Sequence, residues 1–261
     1  MSKLMREWYN SAMCSTTMLR PNEQGNVLFL ILIAVALFAA LSYAVTSSTN
    51  IASSDISKDK ARANASQIIQ YGSSIRNTIT RLKIGNGCTD TNLDFYNELY
   101  KNVAGAYLTY INSSTPADGN CKVFSSSGGN LNPIIPLPEA LDFVTLLPTT
   151  SARPGHGAFR VGQIPNIGTD GIAGTASAND LLLIILILNK PTCMAINEIL
   201  GVPNRGSEAP AEIFPTMGVY TNGSYAASGI FTSAEFVGHP AFCFKRSDQG
   251  TYIFVQTLIE R

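Results

Sequence analysis

Residues 27–45 read VLFLILIAVALFAALSYAV. The run has 19 residues without a charge, a proline or a glycine, and its only hydroxyls are Ser42 and Tyr43. As a helix it spans about 28 Å, close to the ~30 Å of a bilayer's hydrocarbon layer. A buried core helix rarely lacks a polar face for about five turns, so the run reads as a membrane span. A cleaved secretory signal competes with a retained span. A signal has an apolar region of about 7–15 residues soon after a short basic segment, followed by a small-residue cleavage site. Here 26 mostly polar residues come first and the run is longer, which favours a retained span. Lys3, Arg6 and Arg20 precede it, and no Lys or Arg follows until Lys58. Basic residues favour the cytoplasmic flank, so the N-terminus is expected inside and the rest exported.

Beyond the run, neither Gly nor Pro occurs until Gly72. Ala61, Ala65, Ile68, Gly72, Ile75, Ile79 and Leu82 recur at alternating spacings of four and three. That is one apolar or small-residue stripe on a helix. Gly85-Asn86-Gly87 ends it, by the usual role of glycine at helix C-termini. The sequence thus predicts a helix from Val27 to Ile84, apolar all round at first and amphipathic at the end. The β-branched and Ser-rich patch Val45–Ser54 has poor helix propensity, and a local break is expected there.

A membrane half running into an amphipathic half that docks on a head resembles a type IV pilin or pseudopilin. Gln24-Gly25-Asn26, directly before the apolar run, resembles the prepilin cleavage site. The resemblance implies a cytoplasmic leader, residues 1–25, cut after Gly25 by a prepilin peptidase. Asn26 would be the mature N-terminus. The chain departs from the family pattern at two positions. Pilins usually begin with Phe or Met. Most carry Glu at the fifth mature position, where this chain has Leu30. A buried carboxylate in a bilayer costs about 2.5–3.5 kcal/mol and needs a partner. Leu30 therefore fits a minor or tip subunit, and equally an anchored protein that never polymerises. The implied organisation is a leader (1–25), a long helix (26–84) with its span at 27–45, and an exported head (85–261). The implied place is the bacterial inner membrane, with the head periplasmic or extracellular in a filament. The implied partners are the membrane, the peptidase and other pilin-like subunits. The implied fold class is α+β, the long helix lying on an antiparallel sheet.

Of five cysteines, Cys14 lies in the leader, and Cys88, Cys121, Cys193 and Cys243 lie in the head. An even number in an oxidising compartment implies two disulfides. Three connectivities exist. Cys88–Cys121 with Cys193–Cys243 is favoured because each pair lies in its own half of the head. A four-cysteine zinc site is the alternative, but the chain has no Cys-x-x-Cys pair. The head reads as follows. A short helix is expected at Asn92–Ala104, a strand at Ala106–Ile111 and a short strand at Cys121–Phe124. A short helix at Glu139–Leu146 and a strand at Phe159–Ile164 come next, then a loop at Gly168–Asn179. Leu181–Leu188, LLLIILIL, suits a strand buried on both faces. A helix opens at Asn189-Lys190-Pro191 and closes at Gly201. A hairpin ends the chain, with strands at Ala241–Arg246 and Thr251–Glu260 around a Ser247–Gly250 turn.

Composition excludes more chemistry than it offers. Lys and Arg total 18, as do Asp and Glu, so no basic excess is available for nucleic acid. Loss of residues 1–25 would leave 15 basic against 16 acidic residues. Ser, Thr and Asn total 65 against 36 charged residues, which suits an exported surface. His156 and His239 sit beside Gly or Pro in loops. No Gly-x-Ser-x-Gly, His-Glu-x-x-His or phosphate-loop motif occurs. Asp118 and Asp170 read as turn residues. Asn64, Asn112 and Asn222 open glycosylation triplets. Tyr220, Tyr225 and Phe231 read as packing residues or as a contact loop. No catalytic residue, metal or cofactor is expected. A structural pilin-like subunit is the first expectation, an anchored binding protein the second, and an anchored enzyme without a readable motif the third.

Overall fold

The computed structural model describes residues 24–97, 99, 111–142, 159–165, 179–213, 218–220, 231–236 and 238–261. The chain forms two compact units, Met1–Ser54 and Asp55–Arg261, and one helix, α1 (Gln24–Gly85), contributes to both. The break expected at 45–54 is absent, and the backbone is helical throughout. Propensity deficits for Ser, Thr and Val are under about 0.7 kcal/mol per residue, and no Gly or Pro interrupts the segment.

In the second unit, α1 buries the stripe read from the sequence. Ala61, Ala65, Ile68, Ile75, Ile79 and Leu82 are all buried, and Tyr71 joins them. They form one cluster with Leu181, Leu183, Ile185, Phe254 and Leu258 of the sheet. Ile68, Ile75, Ile79 and Leu82 each contribute about 1.5–3 kcal/mol by burial. The flanking ion pairs Arg62–Glu198 and Arg76–Glu260 are exposed at 3.4 and 3.6 Å. Such pairs contribute about 0–1 kcal/mol, so the apolar stripe is what seats the helix.

Among the described residues the sheet has six strands: β1 (Phe159–Pro165), β2 (Asn179–Leu188), β3 (Ala211–Glu212), β4 (Gly218–Val219), β5 (Ala241–Arg246) and β6 (Tyr252–Ile259). Their spatial order is β3-β5-β6-β2-β1-β4. The pairs are antiparallel except β3–β5, which is parallel. The fold is α+β, as expected. Side chains alternate along the central strands. Leu181, Leu183 and Ile185 of β2 face the α1 cluster, while Leu182 and Ile184 join Phe242, Phe244, Ile253 and Val255 in a second core. Both faces of β2 and β6 are therefore buried, as LLLIILIL predicts. A second helix, α2 (Lys190–Leu200), packs into the α1-side cluster through Cys193, Ala195 and Ile196. Asn189 caps it by accepting from Thr192 N, and Gly201 ends it at φ 73°.

The helix expected at Asn92–Ala104 does not form over residues 92–97; residues 98 and 100–104 lie outside the described residues, as does Ala106–Tyr110. Leu93 and Phe95 are fully buried, and Asp94 bridges Lys122 in a parallel pairing. Asp94 N donates to Cys121 O, and Val123 N donates to Asp94 O, so the main chain is satisfied by a distant segment instead of its own turn. The strand expected at Cys121–Phe124 is reduced to that bridge. At Glu139–Leu146 a three-residue 3-10 turn, Pro138–Ala140, replaces the helix, and Leu141 pairs with Leu188; residues 143–146 lie outside the described part. The loop expected at Gly168–Asn179 also lies outside it, apart from Asn179, which starts β2.

One contact sets how closely α1 approaches β6. A Cβ on Gly72 would lie 1.9 Å from Gln256 Oε1 and 2.7 Å from Gln256 Cδ. Gln256 is buried, its Nε2 lies 3.5 Å from Ser73 Oγ, and its Oε1 has no hydrogen-bond partner among the described residues. Gly72→Ala would gain about 1 kcal/mol of helix propensity, but crowding in a packed core costs about 1–3 kcal/mol. We expect Gly72→Ala to lower the thermal midpoint of the detergent-solubilised chain. In a Gln256→Ala background the same change should raise it. Equal effects in both backgrounds would show that the two side chains are not coupled.

Candidate functional site

The residues that bear on function fall in two places, the apolar segment of α1 and a set of clamps in the second unit. Val27–Ala44 has a mean hydropathy of 2.7, and none of it is buried. Val35, Phe38, Leu41 and Tyr43 are more than 60 % exposed. Apolar side chains left bare over this length need a non-aqueous partner. The segment is long and apolar enough to cross a membrane once. Gly25 and Asn26 lie in the first turn of α1. Leu30 lies one turn further on and is 58 % exposed with its neighbours.

The four head cysteines form two disulfides, Cys88–Cys121 and Cys193–Cys243, with Cα separations of 5.7 and 5.4 Å. The bridged residues are 33 and 50 positions apart, so each closed loop restricts the unfolded chain by about 4 kcal/mol in the loop-entropy account. No four-cysteine metal site exists, and the described residues hold no group of three or more His, Cys, Asp or Glu suited to a metal. Two disulfides belong to an oxidising compartment, not to a reduced cytosol.

A buried amide doubles the second disulfide, and another holds the segment that follows Cys88. Asn197 is fully buried on α2, one turn after Cys193. Its Nδ2 donates to Cys243 O at 2.9 Å, and its Oδ1 accepts from Cys243 N at 2.8 Å. A second donation, to Asn204 Oδ1, completes the amide. One strand residue is thus held to α2 by a covalent bond and two hydrogen bonds. Near the first disulfide, Asn112 Nδ2 donates to Thr91 O and Leu93 O at 2.7 and 2.8 Å. Tyr220 Oη lies 2.9 Å from Asp90 O and 3.1 Å from Leu93 O, which share its one proton, and its ring meets Phe95 edge-on at 5.6 Å. Burial pushes the Tyr220 phenol well above its ordinary pKa, so it stays a neutral donor. Asp94, in the same region, is also pushed up by burial.

These contacts place several sequence candidates. Asn112 is a buried structural amide, so its glycosylation triplet is not usable, and Asn64 is 8 % exposed. Tyr220 is core, and Phe231 packs on Phe236, Phe242 and Phe244. Asp118 accepts from Asn120 N and Nδ2, as a turn residue does. His239 N donates to Phe236 O in a turn. His156, Asp170, Asn222, Tyr225 and Cys14 lie outside the described residues.

A single carboxylate, Glu208, gathers three partners near the start of α2. Tyr252 Oη donates to Glu208 Oε1 at 2.6 Å, with Lys245 Nζ 3.1 Å from Oε2 and Lys190 Nζ 3.4 Å from Oε1. The phenol's hydrogen bond, with help from the two ammonium groups, holds the Glu208 carboxyl below its ordinary range. Burial, and then the Glu208 carboxylate, pushes the Tyr252 phenol up. Sequence reasoning did not single out Asn197, Glu208 or Tyr252. Asn197 had a signal: it sits at helical spacing from Cys193 and Leu200, on an otherwise apolar stripe. Glu208 had none, because its partners come from three separate segments.

Compared with known proteins, the chain matches no family model, no curated protein and no solved structure.

Two outcomes follow from the clamps. Asn197→Ala leaves the Cys243 amide and carbonyl buried without partners, at about 1–3 kcal/mol each. The thermal midpoint should fall by several degrees while both disulfides persist in a non-reducing peptide map. Glu208 has a depressed folded-state pKa, so its stabilisation is present above the ordinary carboxylate range, about pH 4.3, and is lost as pH falls through the folded value. Tyr252→Phe should therefore reduce stability at pH 7 and shrink the difference from the parent protein below about pH 4.

Proposed function

We propose that the chain is a pilin-like subunit, of minor pilin or pseudopilin type. It is held by one membrane span before assembly into a type IV pilus or type II secretion-like filament. The observation that carries this reading is the division of labour along α1. Val27–Ala44 is bare and apolar apart from the Ser42 and Tyr43 hydroxyls, while the stripe from Ala61 to Leu82 is buried in the core of a disulfide-braced head. Gln24-Gly25-Asn26 at the start of α1 supports a processing role for Gly25, with Asn26 as the new N-terminus. The two disulfides support an exported head, and the span supports a cytoplasmic leader. In this reading the apolar half stores the subunit in the inner membrane and later packs against other subunits. The chain acts by assembly, without catalysis or a cofactor.

Leu30 favours a minor position. A carboxylate there would pair with a neighbour's N-terminal amine, and an exposed leucine offers only packing. The same residue is what favours the second reading, a single-pass envelope protein whose head binds a partner without polymerising.

Processing separates the two. Co-expression with a prepilin peptidase should remove residues 1–25 and expose Asn26, read by intact mass and N-terminal sequencing. Gly25→Val should block the cut. A chain that keeps its leader beside an active peptidase would overturn the pilin reading and leave the anchored binding protein.

A further inference from the structure

The outer face of the sheet, opposite α1, is aromatic and apolar. Phe242 and Phe244 of β5 are fully buried there beside Ile253 and Val255 of β6. Phe231 and Phe236, at the two ends of one short segment, cover them. Phe236 stacks on Phe242 at 4.0 Å, and Phe231 meets Phe242 and Phe244 edge-on at 5.1 and 5.2 Å. The segment ends in a three-residue 3-10 turn, Ala234–Phe236.

The attachment of this segment is unusual. Among the described residues, no main-chain hydrogen bond joins residues 231–236 to any strand. The main-chain link to the sheet runs through one side chain, Glu212 of β3. Glu212 Oε2 accepts from Thr232 N at 2.9 Å and Ser233 N at 2.8 Å. Thr232 Oγ1 lies 3.0 and 3.1 Å from the two carboxylate oxygens, and Oε1 also accepts from Ile213 N. Glu212 is 7 % exposed, and no Lys or Arg pairs with it among the described residues. A second polar tie, Glu235 to Arg205, is exposed on the arginine side and so is weak. A buried carboxylate without a cation is costly unless hydrogen bonds satisfy it. Here the satisfying donors belong mainly to the segment it holds.

We propose that Phe231–Phe236 is a latched strap with Glu212 as its latch. It opens as a unit while the sheet stays folded, and opening uncovers the Phe242–Phe244 face. The physical basis is cooperativity. Strand β2 pairs with β1 and β6, and β6 with β2 and β5, so each opens only with the sheet, whereas the strap is held by Glu212, the exposed Arg205–Glu235 tie and two rings.

Hydrogen exchange read by mass spectrometry on the full chain in detergent tests this. Glu212→Ala should speed exchange in peptides covering 231–236 by tenfold or more and raise binding of an apolar dye. Peptides from β2 and β6 should exchange as in the parent protein. Glu212→Gln keeps one acceptor oxygen and should give a smaller rise confined to the same peptides. It also decides the matter if the alanine variant does not fold. No change at 231–236 would overturn the latch. An equal rise in β2 and β6 would overturn the strap's independence and make Glu212 a general stability residue.

Discussion

The structure of the second unit depends on the seal between α1 and the inner face of the sheet. Ile68, Ile75, Ile79 and Leu82 supply the area. Ala61, Ala65 and Gly72 let the helix come close enough to use it. The exposed ion pairs on either side are too weak to choose this arrangement. Once α1 covers one face, β2 and β6 can be apolar on both faces only if the other face is covered too. The phenylalanines at 231 and 236 provide part of that cover.

Polar groups inside this unit repair what packing leaves open. Asn197 satisfies the Cys243 main chain, and Asn112 satisfies the carbonyls of Thr91 and Leu93. Both amides sit beside a disulfide. The covalent bond restricts the unfolded chain, and the amide fixes the folded orientation of the same residue at Cys243 and of the nearby segment 91–93 at Asn112. Neither term replaces the other, because one acts on the unfolded ensemble and the other on the native contacts. Gln256 is one exception, with Thr192 Oγ1 and Thr257 Oγ1 among the described residues as others. The buried Oε1 of Gln256 has no hydrogen-bond partner among the described residues and lies against Gly72, a local cost set by how close α1 comes.

Much of the fold was legible in particular residues. The four-three spacing of Ala61 to Leu82 named the buried face of α1, and LLLIILIL named a strand covered twice. Asn189, Pro191 and Gly201 marked both ends of α2. The misreadings share one cause. NLDFYNELY has helical periodicity, yet residues 92–97 are not helical: the Cys88–Cys121 bridge ties the segment before them to Cys121, and the Asp94 main chain bonds to Cys121 O and Val123 N. Val45–Ser54 was read from propensity alone, which is too weak to break a helix free of Gly and Pro. At the candidate site, the apolar run and the cysteines could be read directly. The partners of Glu208 and Glu212 could not, since each set gathers from distant positions.

The sequence by itself determined the local properties of this protein. These are a 19-residue apolar run, the stripe that follows it, the caps of α2 and a cysteine set fit for two bridges. Each is a pattern within one or a few turns or strands, where the geometry of the element alone dictates which residues share a face. Tertiary structure decided which surfaces meet. It put β2 between β1 and β6, aimed Asn197 at Cys243, turned Asn112 from a glycosylation candidate into a core amide, and hung residues 231–236 on Glu212. Those choices depend on long-range complementarity of shape and hydrogen bonding, which the order of residues along the chain encodes only once the chain has folded.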